Sequence, residues 1–157
     1  MINFHTRNEF IKSGRIHSLI LFVTIFQGFF QRASGQASEL IVGSLVKAGF
    51  ENVRCIIKDD KCYVSIENHT FRWDVKAISK ALDIIASAIE DSSEINLVIL
   101  DNALPQILVR VESTDWRNFS LGYMDAEELS GKLILTNCTG EAAMMLKEAA
   151  ISNRGTA

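Results

Sequence analysis

Two short alternations joined by Asp59-Asp60 constrain the fold of this chain more than any other stretch. Val53, Cys55 and Ile57 alternate with Arg54, Ile56 and Lys58, and Cys62, Val64 and Ile66 alternate with Tyr63, Ser65 and Glu67. A period of two is the signature of a half-buried strand. With the turn centred on Asp59-Asp60, both apolar sets fall on one face, and a slip of one residue would send one set to solvent. That register puts Cys55 opposite Val64 and Cys62 opposite Ile57. The two cysteines are then diagonal neighbours, about 7–8 Å apart, beyond comfortable disulfide reach, and they read as small apolar core residues. With Cys138 the chain has three cysteines, so at least one thiol is unpaired in a monomer. No pair has the C-x-x-C spacing of a redox or zinc site.

Helical patterns flank this hairpin. Leu40, Ile41, Leu45 and Val46 recur at helical spacing after Ser38, the expected N-cap, and Gly49 ends the helix with a left-handed cap that folds Phe50 back. Asn68 and His69 bend or end the second strand. Asp74 is expected to cap a second helix, whose stripe of Val75, Ile78, Leu82, Ile85 and Ile89 faces the sheet. Ile95 to Leu100, apolar on both faces except for Asn96, reads as a central strand. Asp101-Asn102-Ala103 reads as a turn, and Pro105 opens a strand with Ile107, Val109 and Val111 inward. The order predicts an α+β fold, a mainly antiparallel sheet of two hairpins covered on one face by two helices (α-β-β-α-β-β) with a short helical C-terminal extension.

Beyond Glu112 the signals are shorter. Thr114 to Arg117 opens a short helix on which Trp116 and Phe119 share a packed face, and Asp125 with Glu128 forms a capping box for another that ends at Gly131. Leu133 to Leu135 adds a short strand. From Glu141 the chain is helical in propensity, and residues 153–157 have nothing to pack and are expected to fray.

Leu19 to Phe30 is an apolar run preceded by Arg7, Lys12 and Arg15 and followed by Ala33-Ser34-Gly35. A basic start, an apolar run of this length and small residues before Gln36 make the pattern of a secretion signal. A membrane-crossing helix needs about 20 apolar residues, and this run is shorter and interrupted by Gln27 and Gly28. The expected organisation is a signal peptide over 1–35, an α+β domain over 36–135 and a helical or frayed tail over 136–157, with no transmembrane span in the mature form and retention as an uncleaved anchor the alternative.

Removal of residues 1–35 leaves 12 basic against 18 acidic residues, a net charge of about −6. An acidic chain without a basic cluster repels phosphate backbones, which argues against nucleic acid and against anionic lipid. His69 is the single histidine left and reads as a solvated loop residue. There is no nucleophile elbow, phosphate-binding glycine loop or His-x-x-x-His spacing, so no catalytic, cofactor or metal residue is assigned. Asn68-His69-Thr70, Asn118-Phe119-Ser120 and Asn137-Cys138-Thr139 fit the N-glycosylation pattern, a match that is common by chance. Tyr63, on the outer face of the hairpin, with Phe71 and Trp73 just downstream, forms a candidate ligand or partner surface on which a sugar ring could stack. The alternative is that Trp73 closes over the sheet edge where the second helix begins.

Ala48-Gly49-Phe50-Glu51-Asn52-Val53-Arg54, then Cys62 to Asn68, Phe71-Arg72-Trp73, Leu97 to Leu100 and Leu104-Pro105 carry a resemblance. Over roughly Leu40 to Glu112 the chain resembles the periplasmic repeat-like region of the YjbH family of exopolysaccharide and capsule-associated outer-membrane proteins. It lacks the long β-barrel portion of that family, so pore formation does not transfer and no catalytic residue is carried over. The resemblance implies an exported, non-enzymatic subunit in the bacterial periplasm or at the outer-membrane periphery. Its partner would be an outer-membrane or periplasmic protein of polysaccharide export, and its ligand the polysaccharide itself. The order of elements is also similar to BON domains, which implies a lipid-binding or small-ligand module as the alternative. A third reading, a polysaccharide hydrolase, would rest on Asp59, Asp60, Glu67 and Asp101.

Overall fold

The computed structural model describes residues 35–90, 92–138, 140–149 and 151–152, and these form one compact unit. The export segment expected over 1–35 lies outside the described residues except for Gly35. The frayed end expected at 153–157 also lies outside them.

Helix α1 runs through residues 35–47. Ser38, Ile41, Val42 and Leu45 are buried, an i, i+3, i+4, i+7 stripe. Ser38 is therefore not the N-cap expected for it but a member of the core face, where its hydroxyl meets Cys55. Leu40 and Val46, expected on the same stripe, are exposed because they fall to either side of it. Gly49, at φ 95°, closes the helix as expected, and Phe50 turns inward and stacks on Phe71 with ring centroids 5.3 Å apart.

Strands β1 (Phe50–Lys58) and β2 (Lys61–Asn68) form the hairpin in the register expected, with Cys55 opposite Val64 and Ile57 opposite Cys62. Asp59 and Asp60 both take left-handed φ values, 50° and 59°, as a tight two-residue hairpin turn requires. A bulge between Glu51 and Arg54 sets Asn52 and Val53 against Ile66. This extra residue changes the side-chain parity, so that Phe50 and Val53 both enter the same core.

Helix α2 (Asp74–Ala88) then crosses to β3 (Glu94–Asp101), which pairs with β2 in parallel. Strands joined in parallel need such a crossover. Trp73 takes the N-cap position, and Asp74 is the first helical residue, its carboxylate accepting from Asn68 Nδ2 at 3.0 Å. The expected cap fails because Asp74 is already engaged with that turn. The buried face of α2 is Ala77, Ala81, Leu82, Ile85 and Ala86. Of the expected stripe, Leu82 and Ile85 are buried and Ile78 and Ile89 pack against the core, whereas Val75 is 78% exposed at the first turn. Three alanines let the helix lie close to the sheet.

Strand β4 (Leu104–Glu112) returns antiparallel to β3 through Asn102-Ala103 and is followed by α3 (Ser113–Ser120) and α4 (Ala126–Lys132). Trp116 is buried and tilts against Phe119 at 5.5 Å, as expected. Asp125 caps α4 by accepting from Glu128 N at 2.8 Å. Val109 and Val111 point into the core. Ile107 does not: its neighbour across the ladder is Asn137, at the end of a short outer strand, and it stays 42% exposed.

Strand β5 (Ile134–Asn137), helix α5 (Gly140–Lys147) and strand β6 (Ile151–Ser152) complete a six-stranded sheet in the order β5-β4-β3-β2-β1-β6. All pairings except β2 with β3 are antiparallel. The domain boundary expected at 135/136 falls inside β5. The tail expected over 136–157 holds a helix, as anticipated, but its described residues belong to the sheet layer and its cover. The expected α+β fold is present, a mainly antiparallel sheet with helices packed on one face, and α5 adds cover on the other. The main core joins the inner face of the sheet to α1, α2, α3 and α4, while a second cluster of Tyr63, Val98, Leu108, Ala142 and Leu146 forms on the opposite face. Even-numbered positions such as Val98 and Leu108 are apolar and need that cover. No helix among the described residues is long and apolar enough to cross a membrane.

Candidate functional site

The densest polar constellation lies where β2 ends beside the β3–β4 turn. Parallel pairing sets Glu67 against Leu100, which brings Asn102 and Ala103 next to the Glu67 side chain. Both turn residues are left-handed, at φ 49° and 60°, and successive N–H groups in such a turn form a concavity for an anion. Here the anion is internal. Glu67 Oε1 accepts from Ala103 N at 3.3 Å, and Glu67 Oε2 accepts from Asn52 Nδ2. Asn52 reaches it because the β1 bulge holds its backbone at φ 48°, and Ser65 Oγ donates to its carbonyl at 3.2 Å. His69 Nε2 lies 3.4 Å from Glu67 Oε1, on a side chain that is 56% exposed.

Burial pushes the Glu67 carboxyl up, but Asn52, the Ala103 N–H, the His69 charge and the Asn102 N–H together hold it below the usual carboxylate range. Glu51 stands directly across the ladder from Glu67. The result is an ionised carboxylate with its lone pairs taken up, suited to fixing the turn and orienting the exposed His69.

The three residues expected to share a surface are not brought together. Tyr63 is buried on the second face with Ala142 and Leu146 of α5, so the outer position expected for it is covered. Phe71 packs on Phe50 and the main core. Trp73 alone is open, 60% exposed at the start of α2, with the Arg72 guanidinium 5.3 Å from its ring centroid. Of the acids considered for hydrolysis, Asp59 and Asp60 occupy the turn at the far end of the hairpin from Glu67, whereas Asp101 follows Leu100, the ladder neighbour of Glu67, and is exposed, accepting from Asn102 Nδ2.

Cys55 and Cys62 are free, buried thiols, and burial pushes the Cys138 thiol up. Contact with Cys62 lowers the Cys55 thiol against the effect of burial, with Ser38 adding to it, whereas Cys55 and burial both push Cys62 well up. Among the described residues no three His, Cys, Asp or Glu side chains group to hold a metal ion.

At the opposite end of the second face, Glu94 Oε1 accepts from Asn96 Nδ2 at 2.9 Å and lies 3.4 Å from Lys61 and 3.6 Å from Arg110. Burial raises its carboxyl, and Asn96, Arg110 and Lys61 more than reverse that. At the margin of the sheet, β5 carries no charge and all four of its residues are exposed, Leu135 at 62%. Leu104 and Ile107 of the neighbouring strand extend its apolar surface.

Sequence reasoning missed Asn52, Asn102, Ala103 and the role of Glu67. The turn at Asn102-Ala103 was legible; its partner is not, since Glu67 is 36 residues away and only the parallel pairing joins them. No family model, curated protein or solved structure matches the chain.

Proposed function

We propose that this chain is an exported, non-enzymatic accessory or assembly subunit of bacterial exopolysaccharide or capsule secretion, acting beside an outer-membrane barrel. The observation that carries a docking role is the β5 margin. An outer strand with exposed Ile134 and Leu135 and without charge or proline lacks the usual protections against strand addition, and an extended partner segment can pair with such an edge. The resemblance over Leu40 to Glu112 supplies the polysaccharide-export setting, and the run Leu19 to Phe30 supplies the export signal. Trp73 beside Arg72 offers the polysaccharide an exposed ring on which to stack.

A photo-crosslinking residue at Leu135, in the full chain expressed in its native cells, tests the docking role. The expected product is an adduct with an outer-membrane or periplasmic protein that is absent when the probe stands at Val75, an exposed position in the first turn of α2. Adducts confined to cytosolic proteins, or no adduct beyond the Val75 control, would overturn it.

A further inference from the structure

The corner of the sheet at β5 is open on both faces. The first half of β4, Leu104 to Ile107, and all four residues of β5 are exposed, and none of them carries a charge. The chain from Gln36 onward carries a net charge of about −6, so two copies repel one another wherever their charged surfaces meet. This corner lacks that repulsion. Its backbone is also directed. Cys138 N donates to the Gln106 carbonyl at 3.0 Å, in step with the pairing of Ile107 against Asn137, so Gln106 and Cys138 are a hydrogen-bonded pair of the β4–β5 ladder. Bonded and non-bonded pairs alternate along antiparallel strands. Ile134 and Thr136 therefore turn their N–H and C=O groups to β4, while Leu135 and Asn137 turn theirs outward. No described strand lies beyond them.

We propose that the occupant of this edge is β5 of a second copy of the chain, paired antiparallel about a two-fold axis at the level of Leu135. The inference rests on the docking role read from the same margin and names its partner. A two-fold interface joins one patch to itself, and residues directly opposite in a ladder share a face, so the axis falls level with a residue and not between two. Leu135 satisfies three conditions at once. Its outward N–H and C=O exchange both bonds with those of its counterpart. Its side chain, on the face of Val109 and 62% exposed, meets its counterpart there. On the other face the β-branched Ile134 and Thr136 oppose one another. An axis at Thr136 would set Leu135 against the polar Asn137. An axis at Ile134 would set Leu135 against Leu133, whose N–H is already given to the Leu129 carbonyl at 2.9 Å.

The test is the association state of the protein purified from its native cells. Sedimentation at about 100 μM should give twice the mass of one chain, falling to one on dilution. Leu135→Lys sets like charges opposite one another at the axis and should weaken the dimer at least about tenfold, with the fold of the monomer intact by urea titration. Opposed α-carbons of a hydrogen-bonded pair stand about 5.5 Å apart, within disulfide span. Leu135→Cys treated with diamide should therefore give a covalent dimer that neither the unmodified chain nor Val75→Cys gives. A monomer at that concentration, a dimer indifferent to Leu135→Lys, or equal cross-linking at Val75→Cys would overturn the proposal. A monomer whose Leu135 probe still captures a different envelope protein would overturn the second copy as occupant while leaving the docking role in place, which separates the two readings.

Discussion

A buried carboxylate surrounded by donors couples the end of the hairpin to acidity. The Glu67 carboxyl lies below its ordinary value of 4.5 in the folded chain, so it stabilises the fold at pH values above 4.5, and that contribution is lost as pH falls through the lowered value. Glu67→Gln should therefore lower the urea midpoint at neutral pH, with the gap to the unmodified chain narrowing as the pH is taken below 4.5; a gap independent of pH would contradict the assignment. Gly49 makes a second residue-scale prediction. At φ 95° it tolerates no side chain without strain, and a Cβ there would stand 2.7 Å from Thr70 Oγ1. Gly49→Ala should cost about 1 kcal/mol or more by denaturant titration. Trp73 is the opposite case. Trp73→Ala should leave stability within about 0.5 kcal/mol and weaken retention of the protein in a gel containing the exported polysaccharide. At this scale the sequence showed Gly49 and the cysteine register plainly, because local pattern determines both. It did not show the partners of Glu67, which come from a bulge and from a turn on another hairpin.

Elements hold one another through side chains that reach helix ends. Arg117 of α3 donates through Nε to the Ala86 carbonyl at 2.7 Å and through Nη2 to the Ile89 carbonyl, closing the C-terminal end of α2, where backbone acceptors lack helical partners. Trp116 Nε1 donates to Asp83 Oδ1 at 2.9 Å from the same helix, and Ser113 Oγ donates to the Glu90 carbonyl at 3.1 Å. The bonds made by the Arg117 guanidinium and to the Asp83 carboxylate involve a charged group and contribute about 1.5–3 kcal/mol each. Arg117→Ala is expected to destabilise the fold by about 1–3 kcal/mol and to speed exchange in the last turn of α2 ahead of its middle. The existence and order of the first six elements were legible because their apolar periods are long. The faces were less so. In α1 and α2 the buried stripe runs through Ser38, Ala77, Ala81 and Ala86, small residues that a search for large apolar side chains passes over.

For the whole molecule, the consequential feature is that the sheet has two covered faces of unequal strength. Four helices close the first around a continuous core, and α5 covers part of the second, which also carries the polar groups of Glu67, Asn96 and Glu94. The sequence hid this because Tyr63, Ser65 and Glu67 look like the solvent side of an antiparallel hairpin, and the arm that covers Tyr63 arrives more than 70 residues later. The uncharged, exposed β5 margin is the surface on which the proposed docking role rests. The most direct measurement is the N-terminus and location of the protein recovered from the cells that make it. The account predicts a chain beginning near Gln36 in the envelope fraction. A chain retaining Met1 and confined to the cytosol would contradict it.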